Sequence, residues 1–92
     1  MTDNWIALGE RVAGTYLGTP FEGAVIDVGF PEGGGDARVY TIKADQPINV
    51  SKFESMTIMR HRLTATLAAD GTSVDRKGRP DGIMALRAVR QA

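Results

Sequence analysis

A chain of 92 residues, 42% hydrophobic and 24% charged, is enough for one domain around one core and leaves no room for a second lobe. With no cysteine it can form no disulfide, thiolate metal site or cysteine nucleophile, which fits a reducing, cytoplasmic setting, and it shows neither a signal-peptide start nor the ~18 consecutive apolar residues of a membrane helix. A formal net charge of zero hides a split: residues 1–55 carry four cations against eight acids, net −4, and residues 56–92 carry seven against three, net +4. Because sequence halves interleave in a barrel, the expectation is mutual neutralisation across strands, and the alternative is a basic face for an anionic partner.

In chain order, Thr2 or Asp3 caps a short helix over Asn4 to Leu8, docked by Trp5 and stopped by Gly9, unless residues 1–10 form an extended arm. Arg11 to Leu17 reads as a first strand, turned by Gly18-Thr19-Pro20. Phe21 to Phe30 reads as a second, with Ala24, Ile26, Val28 and Phe30 inward and Gly23 placed for a bulge. The glycine run in Pro31 to Asp36 leads into another strand and lacks the lysine and helix of a phosphate loop, so it is a hairpin tip. A third strand, Arg38 to Ala44, turns Tyr40 and Ile42 inward and ends at Asp45-Gln46-Pro47. Ile48 to Met56 breaks alternation and reads as a crossing loop or single helical turn, with Ile48, Val50 and Phe53 apolar enough to bury.

Ile58 to Ala68 has the longest alternation in the chain and reads as its central strand. Leu63, Ala65 and Leu67 form the core face, with Met59 and His61 in phase, and Arg60, Arg62, Thr64 and Thr66 lie opposite. Asp70-Gly71 suits a tight turn, Thr72 to Asp75 a short return strand, and Arg76 to Gly82 a second turn. Ile83 to Val89 closes the core, residues 11–89, with Met84, Leu86 and Ala88, leaving 90–92 as a tail. The fold class is therefore all-β: a five- or six-stranded antiparallel, strongly bent sheet or partly open barrel with a short N-terminal helix or arm. The third strand or Thr72 to Asp75 is the expected free edge, through which the chain pairs with itself if it is a homodimer and not a monomer.

Catalytic patterns are thin. His61 is the sole histidine, no serine sits in a Gly-x-Ser-x-Gly elbow, no cofactor motif occurs, and the carboxylates lack the spacing of a calcium loop. The basic residues carry more. Arg60 and Arg62 alternate on the exposed face of the long strand, Arg87 in the last strand is expected near them, and Arg76, Lys77 and Arg79 form a basic loop, with Lys52 in the irregular crossing. Small barrels bind oligonucleotides on such faces, though with stacking aromatics that this face lacks.

The stretches Gly14-Thr15-Tyr16-Leu17-Gly18-Thr19-Pro20-Phe21-Glu22-Gly23-Ala24-Val25, Gln46-Pro47-Ile48-Asn49-Val50, Phe53-Glu54-Ser55, Arg60-His61-Arg62-Leu63-Thr64-Ala65-Thr66-Leu67 and Asp70-Gly71-Thr72-Ser73 together resemble a small bacterial domain of unassigned function. That domain is associated with the end of some glyoxalase-superfamily proteins, and the resemblance covers roughly residues 11 to 86. Glyoxalase-type enzymes pair βαβββ modules and hold a metal with histidine and glutamate. The resemblance therefore implies an accessory domain without the catalytic module, and no catalytic residue is carried over. The functional expectation is a non-enzymatic module that binds a protein partner through Lys52, Arg60, Arg62, Arg76, Lys77, Arg79 and Arg87; the alternative is a nucleic acid or other polyanion on the basic strand face.

Overall fold

Alternating apolar residues fold into five antiparallel strands: β1 (Arg11–Tyr16), β2 (Thr19–Gly29), β3 (Arg38–Asn49), β4 (Met59–Leu67) and β5 (Met84–Ala88). The computed structural model describes residues 5–33, 35–75 and 77–89. The strands form one sheet in the order β4-β3-β2-β1-β5, curled into a half-barrel around its own side chains. Tyr40, Ile42, Leu67, Val12 and Val25 are its largest fully buried side chains. Met84 and Leu86 close the core from β5, in the phase the sequence indicates.

Two register shifts bend the sheet. One lies between Val25 and Asp27 on β2, the other between Lys43 and Ile48 on β3. The first corrects the expected phase of β2: Phe21, Gly23 and Val25 face the core, whereas Ile26 at the bulge and Phe30 beyond the strand are 39% and 68% exposed. Only after the bulge does Val28 turn inward to pack on the core. The bulge is thus at Ile26, and Gly23 serves close approach instead. A Cβ there would overlap the Lys43 carbonyl oxygen and lie 2.9 Å from the Ala44 Cα. Gly14 meets the Ala85 carbonyl in the same way. The second shift corrects the end of β3, because Asp45-Gln46-Pro47 does not terminate the strand. The ladder resumes at Ile48, with Pro47 in the irregular stretch where a missing amide costs no ladder bond.

The long alternating strand is not central. β4 lies at one end of the sheet and β5 at the other, while β3, expected as an edge, is paired on both sides. Alternation records that one face is buried and is silent about which strands lie alongside. Thr72 to Asp75 forms isolated bridges, Leu67 with Ser73 and Val74 with Pro80, and not a sixth strand. The Asp70-Gly71 turn forms as read, with the Gly71 amide donating to the Ala68 carbonyl at 2.9 Å and the Thr72 amide to the Asp70 carboxylate at 2.9 Å. Phe53, expected to bury, is 68% exposed in a crossing loop that holds one hydrogen-bonded turn, the Met56 amide donating to the Phe53 carbonyl at 3.2 Å.

The described part of the amino terminus, from Trp5 onward, is an arm and not a helix. Gly9 and Glu10 pair with Val25 through bonds of 2.8 and 3.0 Å, and a turn between Ala7 and Glu10 reverses the chain. Its anchor is Ile6, 5% exposed, whose amide donates to the Tyr40 hydroxyl at 3.0 Å. A helix with Trp5 and Leu8 on its packed side would forfeit that bond, and Leu8 is instead 67% exposed. Trp5 docks differently, with the Arg38 guanidinium 4.2 Å from its ring centroid and 4.6 Å from that of Phe30. Residues 1–4, including the expected cap, Gly34, Arg76 and the tail 90–92 lie outside the described residues.

Candidate interaction surface

Cross-strand register places the charges of the outer face. Arg11 lies opposite Ala24, Ala24 opposite Lys43, and Lys43 opposite Arg62. In the neighbouring rung Arg87 lies opposite Ala13 and Ala13 opposite Glu22, beside Asp45. Arg11 grips both oxygens of Asp45 and stands 3.9 Å from Glu22. The hydrogen bond from Arg11 holds the Asp45 carboxyl below the usual carboxylate range, and the same bond raises Arg11. All three residues belong to the acidic first half, and among the described residues no ion pair joins residues 5–55 to residues 56–89.

That leaves Lys43 and Arg62 side by side without a counter-charge in contact. Both are exposed, as is Arg60, which lies beyond the register shift opposite Ile48. Like charges directly opposite one another on adjacent strands repel. Asp27, opposite Thr41 in one adjacent rung, forms no ion pair with them, and Asp45, two residues along β3 from Lys43, is held by Arg11.

The basic residues singled out in the sequence do not converge. Arg60 and Arg62 share the open end of β4 with Lys52, which lies in the loop between Asn49 and Met59. Lys77 and Arg79 occupy a turn at the other end. Asp75 ties that turn by accepting from the Lys77 and Arg79 amides at 2.8 and 3.0 Å, bonds that lower its own pKa. The turn faces Pro31 and Glu32 across a cleft of about 750 Å³. Arg60 and Thr66, which lines that cleft, stand six positions apart along the strand, roughly 20 Å at the strand rise. Arg87 is four strands away from Arg62 and lines an open cleft of about 630 Å³ with Glu22, Asp45 and Ile48. Lys43 escaped the sequence reading because its position opposite Arg62 depends on register between distant segments.

An apolar set adjoins the basic end of β4. Phe53, Met56, Ile58 and Met59 are 68%, 48%, 37% and 52% exposed. The expected phase of Met59 with Leu63 does not survive the register shift on β3, which sets Arg60 opposite the buried Ile48 and Met59 opposite the exposed Asn49; Met59 and His61 are both exposed.

With this geometry in view, residues 1–88 match a family described as glyoxalase superfamily protein. The chain belongs to that family. No curated protein and no solved structure matches it. The family name raises the question of a metal, and the donors present do not fit one. His61 projects from an exposed strand end, and among the described residues no three His, Cys, Asp or Glu side chains stand together as a ligand set. The described residues also hold five strands and no helix, unlike a βαβββ module. No described helix is long and apolar enough to cross a membrane.

Proposed function

We propose that this domain is a non-enzymatic interaction module, a curled sheet that presents the open end of β4 to another protein in the cytoplasm. The observation that carries the reading is the run Phe53, Met56, Ile58 and Met59: four large apolar side chains, all exposed, in one short stretch beside an edge strand. Exposed apolar side chains gathered in one place mark partner surfaces more often than solvent-facing ones. Chemistry has less support, since no polar or charged residue is buried among those described, and the shifted carboxylates Asp45, Asp70 and Asp75 owe their shifts to a surface ion pair and to turn amides.

Capture from a native lysate with wild type and with Phe53→Ser/Met59→Ser tests the reading. A protein retained in stoichiometric amount by wild type and lost by the variant is the expected result. If no protein is retained, or if the pure domain turns over a small molecule and loses that activity in His61→Ala, the reading is wrong.

A second reading, a nucleic acid or other polyanion, draws on Lys43 and Arg62 facing each other with Arg60 alongside. Affinity for a mixed-sequence oligonucleotide would then fall steeply with salt as counterions are released. Salt-insensitive affinity, or no binding at low salt, removes it.

A further inference from the structure

β2 and β3 lie side by side over only part of their length. Their ladder ends where Gly23 stands opposite Ala44, yet β2 begins back at Thr19 and β3 runs on to Asn49, pairing with β4 at Ile48. Where the two strands part, the open cleft of about 630 Å³ forms. Phe21 and Ile48, both members of the core cluster, line it, so the cleft reaches down to apolar side chains. Pro20 adds a third apolar surface.

Register fixes the charges around it. Arg87 on β5 and Glu22 on β2 both stand directly opposite Ala13 on β1, so they share one face and flank a single methyl group, roughly 10 Å apart at the backbone. Asp45 lines the cleft beside Glu22. Those two carboxylates share one cation, Arg11, which leaves one negative charge over, whereas Arg87 forms no ion pair among the described residues. The cleft thus presents a free guanidinium on one side and a surplus carboxylate on the other. We propose that it binds a free α-amino acid with an apolar side chain. The ligand carboxylate pairs with Arg87, its ammonium with Glu22 and Asp45, and its side chain packs against Phe21, Ile48 and Pro20. This site uses none of the four apolar side chains on which the interaction-module reading rests, so its failure would leave that reading untouched.

Charge selects a zwitterion over the simpler classes. A plain carboxylic acid would satisfy Arg87 but meet the surplus charge of Glu22 and Asp45, and a plain amine would satisfy the acids while leaving Arg87 unmatched. A nucleic acid would bring many phosphates to one free arginine beside two carboxylates. The short span between the two charged walls selects the α-amino acid, whose ammonium and carboxylate are borne by neighbouring carbons and so suit two groups that reach over the same methyl from opposite sides.

The probe is L-leucine, titrated into the full chain at low ionic strength while backbone amides are followed by NMR. Two controls each lack one charge: N-acetyl-L-leucine has no ammonium, and L-leucinamide has no carboxylate. Saturable shifts are expected at the Ala13, Thr15, Glu22 and Arg87 amides, with each control bound about tenfold more weakly than leucine. Arg87→Gln should weaken leucine to the level of the amide and leave the amide unchanged. Glu22→Gln leaves Arg11 balanced by Asp45 alone, so it should remove the preference for leucine over its N-acetyl form. Both positions are exposed, so both variants are expected to fold as wild type does, which matching amide spectra away from the cleft would verify. Absence of a saturable shift overturns the proposal, as do equal affinity for all three ligands, shifts that map outside the cleft, and wild-type affinity in both variants. Glycine bound as tightly as leucine overturns it too, because the apolar wall would then contribute nothing.

Discussion

The two ends of β4 share one alternation and meet opposite fates. At the carboxyl end Leu63, Ala65 and Leu67 are 4%, 2% and 2% exposed, and the segment from Thr72 to Val74 covers the strand's outer edge. At the amino end Met59 is 52% exposed, His61 is exposed, and nothing described pairs with that edge. Periodicity therefore reports which face a side chain takes only as far as the register holds, and burial depends on whether distant segments reach it. The closed end supplies stability; the open end leaves apolar and basic side chains exposed.

Substitutions can probe that contrast, beginning with the strand crossing on which the closed end depends. Gly23→Ala pushes a methyl group into the Lys43 carbonyl where β2 and β3 approach most closely, so a loss of about 4 kcal/mol or more, or failure to fold, is expected by urea denaturation. Leu67→Ala should cost about 2–5 kcal/mol by leaving a cavity, whereas Met59→Ala at the open end should stay within about 0.5 kcal/mol. Equal costs for the two would erase the distinction between the ends. Tyr40→Phe deprives the Ile6 amide of its acceptor and should cost about 1–3 kcal/mol while leaving the sheet's circular dichroism unchanged.

The smallest effect belongs to the turn beside the closed end. The Lys77 and Arg79 amides depress the Asp75 pKa below its ordinary 3.8, so its contribution is fully present above that value and is lost as pH falls through the lower folded value. Exchange protection of those two amides should fall over that acidic window and stay level between pH 5 and 8. In Asp75→Asn the pH dependence should vanish. At the open end no such acid-linked change is expected at the Arg60 and Arg62 amides.

Much of this architecture was legible in the sequence because it is local. The phases of β5 and of β4 from Leu63 to Leu67, the inward Tyr40 and Ile42, and the Asp70-Gly71 turn follow from residues a few positions apart. β2 misled because Ala24, Ile26 and Val28 make as good an apolar row as Phe21, Gly23 and Val25, and the bulge at Ile26 that decides between them arises from pairing with β3. For the same reason the edge position of β4, the continuation of β3 through Pro47 and the confrontation of Lys43 with Arg62 stayed hidden. Each depends on which strands lie side by side. The candidate surface was therefore half legible: Arg60 and Arg62 were visible as a row, but their separation from Lys77, Arg79 and Arg87 was not.

The stacking of Arg38 on Trp5 gives the molecule a built-in optical reporter. The chain has a single tryptophan, and it lies on the arm, outside the sheet. Its indole emission should therefore follow detachment of the arm, while far-ultraviolet dichroism follows the strands. In wild type the two signals should change together as denaturant rises, because Ile6 and Tyr40 tie the arm to the core. Weakening that tie would let the fluorescence transition run ahead of the other, revealing the arm as a cooperative unit that opens before the rest of the protein unfolds.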